Sequence, residues 1–155
     1  MLDRSSSMGT DDLLRAATGA LKASLSQLDE KARFQIVAYN GAATPLETEL
    51  QSATAESIQH ATQWLDGLEA EGRSDHVAGF REAVWLHPDA IYLLTDADDL
   101  DEREVKAIAG LVRPSVFLNV TLFAPGPIRH TADTPLERFV RLRGGLIRYA
   151  GDPGP

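Results

Sequence analysis

The sequence predicts an α/β fold, a sandwich in which helices cover both faces of a largely parallel sheet. Three observations carry that reading. Several segments of ten or more residues repeat apolar side chains at the three-and-four spacing of a half-buried helix. Short β-rich runs alternate with those segments, and one of them, AIYLLT at residues 90–95, is continuously apolar, as a strand covered on both faces would be. Strands separated by whole helices need crossover connections, which parallel pairing requires. With 155 residues, 43% of them hydrophobic, the chain is sized for one core. Residues 1–150 are read as a single domain, with 151–155 as a loose tail.

Over residues 11–28, Leu13, Leu14, Ala17, Leu21, Leu25 and Leu28 form one helical stripe, and Asp11 and Asp12 fall in the first turn, where the helix dipole favours them. RFQIVAY (33–39) reads as a strand. NGAATPLETEL is a turn leading to a weak strand, whose Pro45 suits only a sheet edge because it has no N–H to donate. Thr54 caps a second helix with Ile58, Ala61, Leu65 and Leu68 on one face. Gly72 ends an element, and Asp75 caps a third helix that turns Val77, Phe80 and Val84 inward and closes before Pro88. AIYLLT belongs near the sheet centre. Asp99 and Glu102 offer an acidic capping box for a helix bearing Val105, Ile108 and Val112 and stopping ahead of Pro114. VFLNVTLF (116–123) is the next strand. Thr134, Pro135 and Glu137 give a full capping signal for a last helix with Leu136, Phe139 and Val140, ended by Gly144 and Gly145 before LIRY (146–149). There is no internal repeat, linker or low-complexity segment.

Composition narrows the function. Twenty-three acidic against 15 basic residues give a formal charge of −8, which opposes phosphate-neutralising contacts and disfavours nucleic acid and anionic membranes as partners. The absence of cysteine removes disulfides, thiolate metal sites and thiol nucleophiles, so any metal would be held by oxygen or histidine. No apolar run approaches the ~20 residues of a membrane helix, and no leader-like start is present; localisation stays open.

In such a fold ligands gather outside the carboxyl ends of the strands, where strand order reverses. Three polar clusters fall near those ends: Asp3-x-Ser5-x-Ser7, then Gly72-Arg73-Ser74-Asp75, then Thr95-Asp96 after the apolar strand. Hydroxyls and carboxylates make a hard-oxygen set suited to Mg²⁺ or Mn²⁺, and less tightly to Ca²⁺. Ser5, Ser7 and Ser74 would supply neutral oxygens, and Asp3 and Asp96 would bind directly or through water. Neutral ligands leave such an ion electrophilic enough to accept a carboxylate from another molecule.

DRSSSM, GRSDH and LLTDAD, in this order along the whole chain, resemble the metal-ion-dependent adhesion site of von Willebrand factor A-type domains. The usual pattern there is Asp-x-Ser-x-Ser, a Thr-Asp pair, and Thr-Asp-Gly after a central strand. The resemblance implies a Rossmann-like three-layer fold, with metal-ligating roles carried onto Asp3, Ser5, Ser7, Ser74 and Asp96. It also implies a protein partner that presents Asp or Glu. Three residues depart from the pattern. Ser74 replaces threonine and loses the methyl that stiffens the side chain. Ala97 and Ser6 stand where glycine is usual, which matters if φ is positive there.

Other polar features have simpler readings. Asp75 is a helix cap before it is a ligand. DADDLDE lacks EF-hand spacing, since Leu100 and Asp101 occupy its fifth and sixth places. His60, His76, His87 and His130 show no ligand spacing, and Trp64, Phe80 and Trp85 read as core or half-buried. Three functions compete: a metal-dependent protein-binding module, a structural domain with a vestigial metal site, and a Mg²⁺-dependent phosphohydrolase. The last is disfavoured, because there is no Asp-x-Asp, no phosphate-binding glycine loop and no G-x-S-x-G. Finally, the resemblance places Asp3 at the end of a central strand, yet only Met1 and Leu2 precede it. Such a strand is expected to be completed by upstream sequence, by a strand from a partner or second copy, or by another segment.

Overall fold

The computed structural model describes residues 1–96, 100–124 and 134–150. A six-stranded sheet has the order β4-β3-β1-β6-β7-β8, where β1 is Leu2–Asp3, β3 Val37–Tyr39, β4 Ala43–Pro45, β6 Ala90–Thr95, β7 Phe117–Leu122 and β8 Ile147–Tyr149. All its pairs are parallel except β3 with β4, which meet as an antiparallel hairpin. Pro45 lies on that edge strand, as its missing donor requires. A second, two-stranded sheet pairs β2 (Arg33–Phe34) with β5 (Gln51–Ser52). Residues 33–39 are therefore two strands in different sheets, not one.

Five helices complete the fold: α1 Leu13–Leu25, α2 Ala55–Asp66, α3 His76–Trp85, α4 Glu102–Leu111 and α5 Pro135–Leu142. Phe80, Ile108, Leu136 and Val140 pack with Leu93, Leu118 and Val120 on one face of the sheet. Leu13, Ala17, Ala61 and Leu65 pack with Leu2, Ile36 and Leu94 on the other. Burying each of the larger of these side chains stabilises the fold by ~1.5–3 kcal/mol, and the alternation along each strand assigns the strand residues to opposite layers.

The caps at Thr54, Asp75 and Thr134 are as the sequence indicates, with Ser57, Ala78 and Glu137 N–H groups donating to them. Elsewhere the structure corrects the sequence. The segment Ser6–Asp12 is a 3-10 stretch, and α1 starts only at Leu13, because Asp11 (φ 50°) and Asp12 (φ 60°) take left-handed conformations outside the first turn. The cap of α4 is Asp101, paired reciprocally with Glu104; Asp99 lies outside the described residues. Gly67 closes α2, and Gly72 sits in the following loop at φ +72°. The apolar run of β6 is not covered on both faces, since Tyr92 is 61% exposed on the side of Leu94. Trp85, at the end of α3, is 78% exposed. Ala97, His130 and the 151–155 tail lie outside the described residues.

Strand β1 is two residues long and stands alone between β3 and β6, so no other described strand fills its place. Leu2 is fully buried, the Leu94 N–H donates to the Met1 carbonyl at 3.0 Å, and the Met1 amine donates to the Tyr92 carbonyl at 2.6 Å. Strand order reverses at β1, with β3 to one side and β6 to the other.

Candidate functional site

β1 delivers Asp3 to the carboxyl end of the sheet centre, where it is fully buried. Its Oδ1 accepts the Ser5 N–H at 2.9 Å, a local turn that folds the chain back over the strand end. Its Oδ2 accepts the Thr95 hydroxyl at 2.7 Å. The Ser7 hydroxyl donates to Asp96 Oδ1 at 3.1 Å, and the Ser5 and Ser7 hydroxyl oxygens are 3.1 Å apart. A hydroxyl has one proton. With that of Ser7 directed to Asp96, Ser5 is the donor to Ser7. Asp3, Ser5, Ser7, Thr95 and Asp96 thus form one network across the ends of β1 and β6, from residues about 90 positions apart.

The loop before α3 is fastened beside this network by backbone bonds. The Ser6 N–H donates to the Gly72 carbonyl at 2.9 Å, that of Glu71 to Arg4 at 2.9 Å, and that of Asp75 to Asn40 at 2.8 Å. Glycine suits the left-handed turn at Gly72 because it carries no Cβ. Ser74 is exposed on this loop and makes none of the hydrogen bonds of the network. Asp75 acts as a cap, its Oδ1 accepting the Ala78 N–H at 2.9 Å.

Under the network lies a pair that motif reasoning does not find. Tyr39, fully buried at the end of β3, shares a 2.9 Å hydrogen bond between its hydroxyl and Nδ1 of buried His76. The rings meet edge to face at 5.5 Å. Gly79 admits this packing, since a Cβ there would fall 2.8 Å from the Tyr39 ring. Burial, and after it the charge of Asp3, push the Tyr39 phenol well above its ordinary range. Burial also raises the Asp96 carboxyl, an effect opposed by the hydrogen bond from Ser7 and increased by the charge of Asp3.

A model of the von Willebrand factor type A domain family matches residues 1–148. The chain belongs to that family. No curated protein matches it. Among solved structures, a von Willebrand factor type A protein from Catenulispora acidiphila superposes with a TM-score of 0.77 at 20% identity, over 98% of this chain and 38% of that one. An aerotolerance-related membrane protein from Bacteroides fragilis NCTC 9343, carrying multiple mutations to serines, gives 0.73 at 15% identity, over 97% and 89%. The pilus adhesin SpaC from Lactobacillus rhamnosus GG, in an open conformation, gives 0.66 at 12% identity, over 96% and 27%. The von Willebrand A-type chain thus spans less than two fifths of the first and third of these proteins.

The network of this von Willebrand A-type domain fits a hard divalent cation by the chemistry of its donors. Two carboxylates and two serine hydroxyls converge, all oxygen. Each carboxylate oxygen of Asp3 keeps acceptor capacity beyond the bond it already receives. Among the described residues neither Asp3 nor Asp96 pairs with Lys or Arg; Arg4, next to Asp3, instead meets Glu71 at 2.8 Å. No cluster of three or more His, Asp or Glu side chains suited to a metal occurs among the described residues. A cation here would therefore depend on hydroxyls as much as on charge.

Proposed function

We propose that this domain is a protein-binding module in which a Mg²⁺ ion, held by Asp3, Ser5, Ser7, Ser74 and Asp96, engages an acidic side chain of a partner. Mn²⁺ or Ca²⁺ would occupy the same oxygen set. The observation that carries the reading is the convergence of Asp3 and Asp96 through Ser5 and Ser7 at the reversal point of the sheet, with no Lys or Arg pairing either carboxylate among the described residues. Family membership and the likeness of the fold to that of a pilus adhesin support it. The ion would act as a Lewis acid towards the partner's carboxylate. Asp3 and Asp96 would balance its charge, Ser5 and Ser7 would orient it, and Ser74 would swing in from its loop. The function is binding, not catalysis.

Thermal unfolding with Mg²⁺ and with chelator tests this. A ligand at 100 times its Kd stabilises by about 2.7 kcal/mol, or roughly 5–10 °C for a chain of this size. The shift should vanish in Asp3→Ala, and calorimetry should show a component of acidic-peptide binding that appears only with the metal present and is lost in Asp3→Ala. Calorimetry that shows no metal-dependent component of peptide binding would overturn the reading. One observation favours the alternative, a vestigial metal site in an assembly domain: the Ser5–Ser7–Asp96 hydrogen bonds already satisfy the network, and Ser74 stands outside it. No thermal shift at millimolar Mg²⁺ would select that alternative.

A further inference from the structure

The pole opposite Asp3 has a different character. Four of the five large hydrophobic residues exposed among the described ones lie towards it: Trp85 at the end of α3, Phe117 at the start of β7, Leu142 at the end of α5, and Leu146 just before β8. Scattered exposed apolar residues need no explanation, but Trp85 stands in the wall of a cleft. This cleft, of about 390 Å³, opens between the ends of α3 and α4, with Val84, Pro88 and Val116 also in its wall.

Its polar lining is basic in an acidic molecule. Arg81 and Arg113 both line the cleft, and neither pairs with a carboxylate among the described residues, although Asp89 also lines it. Arg113 lies 2.8 Å from Nδ1 of His87. A guanidinium has no acceptor, so Nδ1 accepts and the ring proton sits on Nε2, leaving that N–H as a further donor. His87 is held at φ 51°, a conformation rare for a residue with a side chain. Two guanidinium groups, an imidazole N–H and an exposed indole around one cleft suit a carboxylate with an apolar neighbour. Arginine binds carboxylates through paired donors, and Trp and Arg are the residues on which binding energy concentrates.

We infer that this cleft is a second binding site, which takes an acidic segment of a partner protein with an aromatic or aliphatic residue beside its carboxylate. The charge complementarity and the apolar wall select that occupant. It is independent of the metal network, which lies at the other end of the sheet.

The probe is the peptide acetyl-Glu-Phe-Asp-Leu-amide, titrated against the chain while Trp fluorescence is followed, with acetyl-Gln-Phe-Asn-Leu-amide as the neutral control. The expected result is a saturable change that is absent in Trp85→Phe, is weakened at least tenfold in Arg81→Gln and in Arg113→Gln, and is unchanged by chelator or Asp3→Ala. All three substituted side chains are exposed, so these variants should fold. Equal binding of the neutral peptide, no saturable change at millimolar peptide, or a signal that disappears with chelator would overturn the inference. So would concentration-dependent dimerisation of the chain alone, lost in Arg113→Gln, which would make a second copy the occupant.

Discussion

Asp3 is a fully buried carboxylate whose oxygens accept from Ser5 and Thr95 and whose charge adds to burial in raising the titration of both Tyr39 and Asp96. Asp3→Asn keeps its shape and removes the charge. It should lower Mg²⁺ affinity at least tenfold by calorimetry, yet leave stability in chelator within about 1 kcal/mol, because the Thr95 hydroxyl can rotate to accept from the new amide. Tyr39→Phe should cost about 1–3 kcal/mol by urea denaturation, since it leaves the buried Nδ1 of His76 without its hydrogen bond. The raised Asp96 carboxyl sets a pH dependence of known sign. A carboxyl whose folded pKa exceeds its unfolded value favours the metal-free fold at low pH, and that advantage fades as pH rises and the group ionises. Metal needs the ionised form. The Mg²⁺-induced shift in Tm should therefore grow from pH 4 to pH 7, which a series of thermal scans would show. The spacing of Asp3, Ser5 and Ser7 is legible in sequence because a short turn sets it. Tyr39 and His76 are not, because they lie 37 positions apart and only the packing of β3 against α3 joins them.

At the scale of elements, a close tolerance lies where α3 crosses Tyr39. Gly79→Ala would place a Cβ 2.8 Å from the ring and 3.0 Å from the Met1 side chain, so it should destabilise the domain by about 1–3 kcal/mol by denaturant unfolding. Because the displaced ring is the one beneath the network, Mg²⁺ affinity should fall with it. The helices were readable from apolar spacing and caps, except where two starts competed. Both Asp99-x-x-Glu102 and Asp101-x-x-Glu104 satisfy the capping pattern. The second register prevails, with buried Leu100 just before the cap and Val105 in the first full turn joining the same core cluster, the arrangement of a hydrophobic staple. The start of α1 was hidden for a different reason, since left-handed backbone at Asp11 and Asp12 leaves no mark on apolar spacing. Likewise nothing local in residues 33–39 shows that Arg33–Phe34 pairs with Gln51–Ser52 instead of joining the main sheet, because strand pairing is decided by tertiary packing.

Across the whole molecule, the two proposed sites stand at opposite poles. At the carboxyl ends of β1 and β6 lies an oxygen network poor in positive charge; at the other end lies an arginine-lined cleft with Trp85 in its wall. The α/β architecture was legible because alternating strands and helices of this length leave few topologies, and the central place of β6 followed from its apolar run. The cleft was not legible, because exposure of Trp85 depends on how the helices pack. The central claim is that the network at the first pole binds a divalent cation, and Mn²⁺ titration followed by electron paramagnetic resonance addresses it most directly. The expected result is one bound Mn²⁺ per chain, displaced by Mg²⁺ and lost in Asp3→Ala. A free-ion signal undiminished by the protein at millimolar Mn²⁺, or binding retained in Asp3→Ala, would contradict it.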